Sequence, residues 1–123
     1  MSVRLYRLLL VCWCALIFTL SAQSTLPGAD MFAAQDKIEH MGAYAVMAWL
    51  FWRSFPPREG GAAMAALAAV LFCMLYGLSD EWHQSFVPGR MPDINDWLAD
   101  SVGAMLLSGC MLYRQAKALE AGA

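Results

Sequence analysis

The chain has 123 residues, of which 60% are hydrophobic and 15% charged, whereas an ordinary soluble domain carries about 25% charged residues. With a mean hydropathy of +0.49, a soluble domain of this length would leave apolar surface in water. A bilayer solvates such surface and asks only that the backbone be hydrogen-bonded internally. The net charge of -2 offers no basic stripe to displace counterions from nucleic acid, which excludes that class of partner.

A hydrocarbon core about 30 Å thick takes about 20 helical residues to cross. Apolar stretches near that length occur at about 5–22, 36–55, 61–79 and 95–113, and they predict an all-α, four-helix transmembrane bundle, a single domain over 1–123. In the first stretch a short apolar core from Leu8 to Leu20 follows Arg4 and Arg7, as in a secretory signal peptide. Cleavage after Ala22 would require a small residue where Leu20 stands, which favours a retained anchor with Arg7 snorkelling to the headgroups. The third stretch has no charge and is rich in small residues (Ala62, Ala63, Ala65, Ala66, Ala68, Ala69), which predicts close packing and a place in the middle of the bundle. Gly103, Ser108 and Gly109 give the fourth similar close-approach positions. Linkers are expected over Ser24 to Gln35, at the Pro56-Pro57-Arg58-Glu59-Gly60 turn, and over Phe86 to Ile94, where Pro88-Gly89 and Pro92 stop helices.

Cys12, Cys14, Cys73 and Cys110 all lie in apolar runs without C-x-x-C spacing and read as small hydrophobes. Trp49, Trp52 and Tyr113 at one boundary and Trp82 and Trp97 at the other suggest an interfacial aromatic belt. Orientation follows from the basic residues, which resist export. Arg4, Arg7, Arg53, Arg58, Arg114 and Lys117 fall on one side and Lys37 and Arg90 on the other, so both termini are expected in the cytoplasm.

With that topology Asp30, Asp36, Glu39, Asp80, Glu81, Asp93, Asp96 and Asp100 share the outer side, leaving two of the chain's 10 acids elsewhere. They come from the start of helix two, the end of helix three and the start of helix four. Helical spacing aligns Asp36, His40 and Tyr44; Asp80, His83 and Gln84; and Asp96, Asp100 and Gly103. His40 and Asp100 lie about a turn inside the outermost charges, where an ionisable group must face the bundle or a partner. His83 is expected to be exposed beside Trp82.

The motifs Asp36-Lys37-x-x-His40-x-x-x-Tyr44, Tyr76-Gly77-x-x-Asp80-Glu81-x-x-Gln84-x-Phe86-x-Pro88-Gly89-Arg90 and Asp96-x-x-x-Asp100-x-x-Gly103, in this order, resemble the VanZ-like family of bacterial membrane proteins over about residues 26 to 110. The family commonly has Asn at the place of Asp100. The resemblance implies the fold, a membrane location and the polar cluster, and it implies a link to low-level resistance to the glycopeptide teicoplanin.

The residues singled out for a polar site are Asp36, His40, Asp80, Glu81, Gln84, Arg90 and Asp96, with Lys37, Tyr44 and Asp100 as second choices. One reading is a divalent cation held by some of Asp36, His40, Asp80, Glu81 and Asp96. Another is a hydrolase or transferase acting on a lipid-linked envelope precursor, with a carboxylate or His40 as general base and Arg90 or Lys37 on a phosphate. So many carboxylates repel an anionic substrate unless a cation or protons offset them. A third is a binding module in the bilayer that recognises a lipid-linked cell-wall precursor, a glycopeptide or another membrane protein without chemistry. A purely structural cluster, with Lys37 and Arg90 paired to acids and Asp80 and Asp96 capping helix ends or ordering the Pro88-Gly89 turn, is the fourth. Two basic residues cannot neutralise the eight acids named above, so the structural reading leaves a surplus of carboxylates. Ligand and oligomeric state stay open.

Overall fold

The computed structural model describes residues 1–24 and 35–122. Four helices make up the fold, α1 (Val3–Ser21), α2 (Gln35–Ser54), α3 (Ala62–Gln84) and α4 (Ile94–Gly122), and no strand occurs among the described residues. Asp30 and all but the ends of the linker expected from Ser24 to Gln35 lie outside the described residues.

Helix ends follow local chemistry. Ser2 caps α1 by accepting the Leu5 amide at 3.3 Å. α2 stops before Pro56-Pro57, which supply no backbone donor, and the turn closes through Gly60 at φ 71. α3 runs past the apolar stretch to Gln84, since nothing in Asp80-Glu81-Trp82-His83-Gln84 breaks a helix before Pro88-Gly89, where Gly89 takes φ 84. Asp93 caps α4, its Oδ1 accepting the Asn95 amide at 2.9 Å. α4 continues to Gly122 instead of ending near 113. The strong helix formers from Arg114 to Glu120, with Lys117 and Glu120 paired at 3.5 Å, carry it on.

The largest interface joins α2 to α4; α3 packs mainly on α4, and α1 on α2 with only slight contact to α3. The middle of the bundle therefore belongs to α2, not to α3 as its alanines suggested. Tyr44, Met47 and Ala48 of α2 are 1%, 0% and 1% exposed, whereas Leu67, Leu71, Leu75 and Leu78 of α3 face outward. Small residues narrowed α3 on one side only, the side of Ala66, Ala69, Cys73 and Gly77. The close α2–α4 approach depends on Gly103, because a Cβ there would run into the Met41 carbonyl.

Side chains stitch the helices across this framework. Trp13 Nε1 donates to the Ala43 carbonyl at 3.0 Å, Tyr76 Oη to the Cys14 carbonyl at 2.6 Å and Trp97 Nε1 to the Met74 carbonyl at 2.9 Å. Arg7 Nε donates to the Ser54 carbonyl at 3.2 Å, satisfying an orphan acceptor at the end of α2. Of the expected belt aromatics, Trp49, Trp82 and Tyr113 are exposed. Trp52, 6% exposed, and Trp97, bonded to α3, are packing residues instead.

Two helices, α1 and α3, are long and apolar enough to cross a membrane. Leu8, Val11, Leu16 and Phe18 of α1 point outward, the reverse of a soluble core helix. α2 and α4 carry charges in their first turns. With the first turn of α1 beside the end of α2, and α3 following α2 through a tight turn, one end of the bundle collects the ends of α1 and α3 and the starts of α2 and α4.

Candidate functional site

Lys37 reaches from α2 into the start of α4. Its Nζ lies 3.0 Å from Asp36 Oδ2 and 2.9 Å from Asp93 Oδ2, and it forms a third ion pair with Asp96 Oδ1. An ammonium surrounded in this way ties the α4 cap to α2, and it holds the Asp93 carboxyl below the usual carboxylate range.

One turn further into the bundle, His40 Nδ1 lies 2.9 Å from Oδ1 of Asp100, a side chain 1% exposed. Its Nε2 is 3.9 Å from Asp96 Oδ2, so the imidazole stands between two carboxylates of α4. An ionised Asp100 keeps the proton on Nδ1 and leaves Nε2 as the basic nitrogen. Gly77 makes room for this pair, since a Cβ there would meet Asp100 Oδ2 at 3.1 Å and the Tyr44 ring at 3.4 Å.

The last turn of α3 completes the end of the bundle. Asp80 Oδ2 accepts from Gln84 Nε2 at 3.2 Å, and Glu81 Oε2 accepts the Asp93 amide at 2.7 Å, which fastens the α3–α4 loop. Several buried polar atoms here have no partner at hydrogen-bond distance among the described residues: Ser21 Oγ, Tyr44 Oη, Asp80 Oδ1, Glu81 Oε1, His83 Nε2 and Arg90 Nε. His83 is half-buried, its ring 4.3 Å from that of Phe18, and not exposed in the loop as expected. Its apolar partner comes from α1, which no spacing within α3 reveals.

A half-open cavity of about 130 Å³ is lined by Ile17, Leu20 and Ser21 of α1, by His40, Ala43 and Tyr44 of α2, and by Asp80, Gln84 and Arg90. A neighbouring polar cavity of about 230 Å³ shares Glu39, His40, Gln84 and Arg90 and adds Asp36, Asp96 and Met91. Seven of the ten residues singled out from the sequence line these two cavities, and Lys37, Glu81 and Asp100 join them through Asp36 and Asp96, the Asp93 amide and His40. Lys37 pairs with acids as the structural reading expected, but Arg90 forms no ion pair among the described residues. The helix cap is Asp93 and not Asp96 or Asp80. Asp93, following Pro92 at a helix start, carries a cap signature in sequence. Ser21 carries none, because its place depends on how α1 packs.

Among the described residues no three His, Cys, Asp or Glu side chains gather as a metal-ligand set. The Lys37 ammonium lies among the Asp36, Asp93 and Asp96 carboxylates, so Asp36 and Asp96 of the candidate ligands are already paired. All four cysteines are free.

Residues 6–116 match a protein family described as VanZ/LLP1. No curated protein and no solved structure matches the chain.

Proposed function

The chain belongs to the VanZ/LLP1 family, and on that basis we propose that it is a multi-pass protein of the bacterial cytoplasmic membrane whose polar end faces outward and binds the headgroup of a lipid-borne envelope molecule. Basic residues support the orientation: Arg4, Arg7, Arg53 and Arg58 belong to the end opposite the acids, as retention in the cytoplasm requires. One observation carries the binding reading. Among the described residues, buried Tyr44 Oη and Arg90 Nε lack partners, Asp80 Oδ1 and Ser21 Oγ have none at hydrogen-bond distance beyond their own mutual approach, and all four belong to residues lining one cavity. Buried polar groups need partners, and this cavity far exceeds the roughly 10–15 Å³ that one ordered water occupies. Ile17 and Leu20 of α1 give it apolar surface and Asp80, Gln84 and Arg90 give it polar groups, as suits an amphiphile. Teicoplanin resistance, on this reading, follows from occupancy of the site by an envelope lipid or by the glycopeptide itself.

A second reading, a hydrolase or transferase acting on such a precursor, is favoured by the His40–Asp100 pair at 2.9 Å. A buried carboxylate on Nδ1 orients the ring and leaves Nε2 to take a proton from a hydroxyl or water.

Native mass spectrometry of the detergent-purified protein beside an Asp80→Asn, Glu81→Gln double variant tests the binding reading. We expect a co-purifying lipid that the folded variant loses. Wild-type protein devoid of lipid, or a variant that keeps it equally well, overturns the reading.

A further inference from the structure

We propose that the cavity takes a headgroup carrying both a phosphate and a primary ammonium, that of an ethanolamine-type phospholipid, with the phosphate on Arg90 and the ammonium on Asp80. The proposal rests on the headgroup-binding reading above and names its ligand class.

The cations at this end of the bundle are not equally available. Lys37 is held by three carboxylates, and His40 is engaged by Asp100. Arg90 has no ion pair among the described residues, and its buried Nε has no hydrogen-bond partner. A guanidinium presents parallel donors that match phosphate oxygens.

The acceptors tell the same way. Asp80 is 5% exposed and spends one oxygen on Gln84. Among the described residues its buried Oδ1 has no partner at hydrogen-bond distance, and the Ser21 hydroxyl is the one donor placed to interact with this carboxylate besides Gln84. Tyr44 and Ser21, 1% and 4% exposed, line the same cavity; the Tyr44 hydroxyl has no partner among the described residues and the Ser21 hydroxyl interacts only with Asp80, so both can donate to a phosphate oxygen or accept from an ammonium.

Charge decides between ligand classes. A purely anionic headgroup would satisfy Arg90 but face Asp80 and Glu39 across the same cavity. A purely cationic one would leave Arg90 without a counterion. A ligand with both signs meets each wall with the opposite charge. A quaternary ammonium has no N–H to offer Asp80 Oδ1, so a primary amine is preferred. Ile17 and Leu20 supply apolar surface for the start of the acyl region.

The test uses the delipidated full-length protein in mild detergent. It is offered equal amounts of phosphatidylethanolamine, phosphatidylglycerol and phosphatidylcholine, and native mass spectrometry reads which lipid is retained. At least a tenfold preference for phosphatidylethanolamine is expected. Arg90→Gln should lose it and Arg90→Lys, which keeps the charge, should recover much of it. Asp80→Asn should reduce the preference over phosphatidylglycerol, with circular dichroism confirming that each variant is helical. Equal retention of phosphatidylglycerol or phosphatidylcholine overturns the headgroup assignment, as does displacement by an isoprenoid pyrophosphate, while lipid binding itself stands. Retention of no lipid overturns both. Displacement by free phosphoethanolamine at equal concentration supports the headgroup chemistry but overturns a lipid as its source.

Discussion

Gly103→Ala tests the contact on which the site's geometry depends. The three nearest atoms to a Cβ at Gly103 are the oxygen, carbonyl carbon and Cα of Met41, all backbone, so no side-chain rotation can relieve the overlap. Helix axes normally lie about 8–10 Å apart, and α2 and α4 would have to separate by on the order of 1 Å to reach ordinary contact. The Lys37 ion pairs to Asp93 and Asp96 and the His40–Asp100 bond span the same interface and would lengthen with it. Overpacking of this kind costs about 1–3 kcal/mol, against a helix-propensity gain of about 1 kcal/mol for Gly to Ala. Gly109 sits on the same helix, and a Cβ there would have nothing within 4 Å. Gly109→Ala gains the same propensity without the collision, so the difference between the two variants isolates the packing cost, about 1–3 kcal/mol. Unfolding of the detergent-solubilised protein by a denaturing detergent, followed by circular dichroism, measures it. Should Gly103→Ala prove as stable as Gly109→Ala, the close α2–α4 approach is wrong.

Acid titration probes the Lys37 group. Because Lys37 holds the Asp93 carboxyl low, the stability it contributes is fully present above the unfolded value of about 3.9 and is lost as pH falls through the lowered one. Asp93→Asn keeps a capping oxygen but should be less stable than wild type at neutral pH, with the gap closing below about pH 4. A gap that widens on acidification contradicts the pairing. Reporter fusions after Pro57 and after Gly89 should report opposite sides of the membrane, with the Gly89 fusion outside. A same-side result removes the outward-facing site.

The sequence by itself determined that four helices form, roughly where they lie, and which residues crowd one end. Apolar runs of spanning length, proline and glycine stops and the segregation of charge are all local or one-dimensional signals. Helix ends were less legible where polar but strongly helix-forming residues, such as Arg114 to Glu120, follow an apolar run, since propensity carries the helix past the hydrophobic limit. Which helix occupies the centre was decided only by packing: α3's alanines mark one narrow face, while α2 buries Tyr44 and Met47 and packs on all three other helices. The tertiary structure also separated acids that share a sign into different roles. Asp93 and Asp96 are engaged by Lys37 and Asp100 by His40, while Asp80 and Arg90, which form no ion pair among the described residues, line the same cavity. Those partners lie 56, 59 and 60 residues apart for the Lys37–Asp93, Lys37–Asp96 and His40–Asp100 bonds. No periodicity within a helix encodes such pairs, because they depend on the register between helices, which the Gly103–Met41 contact sets.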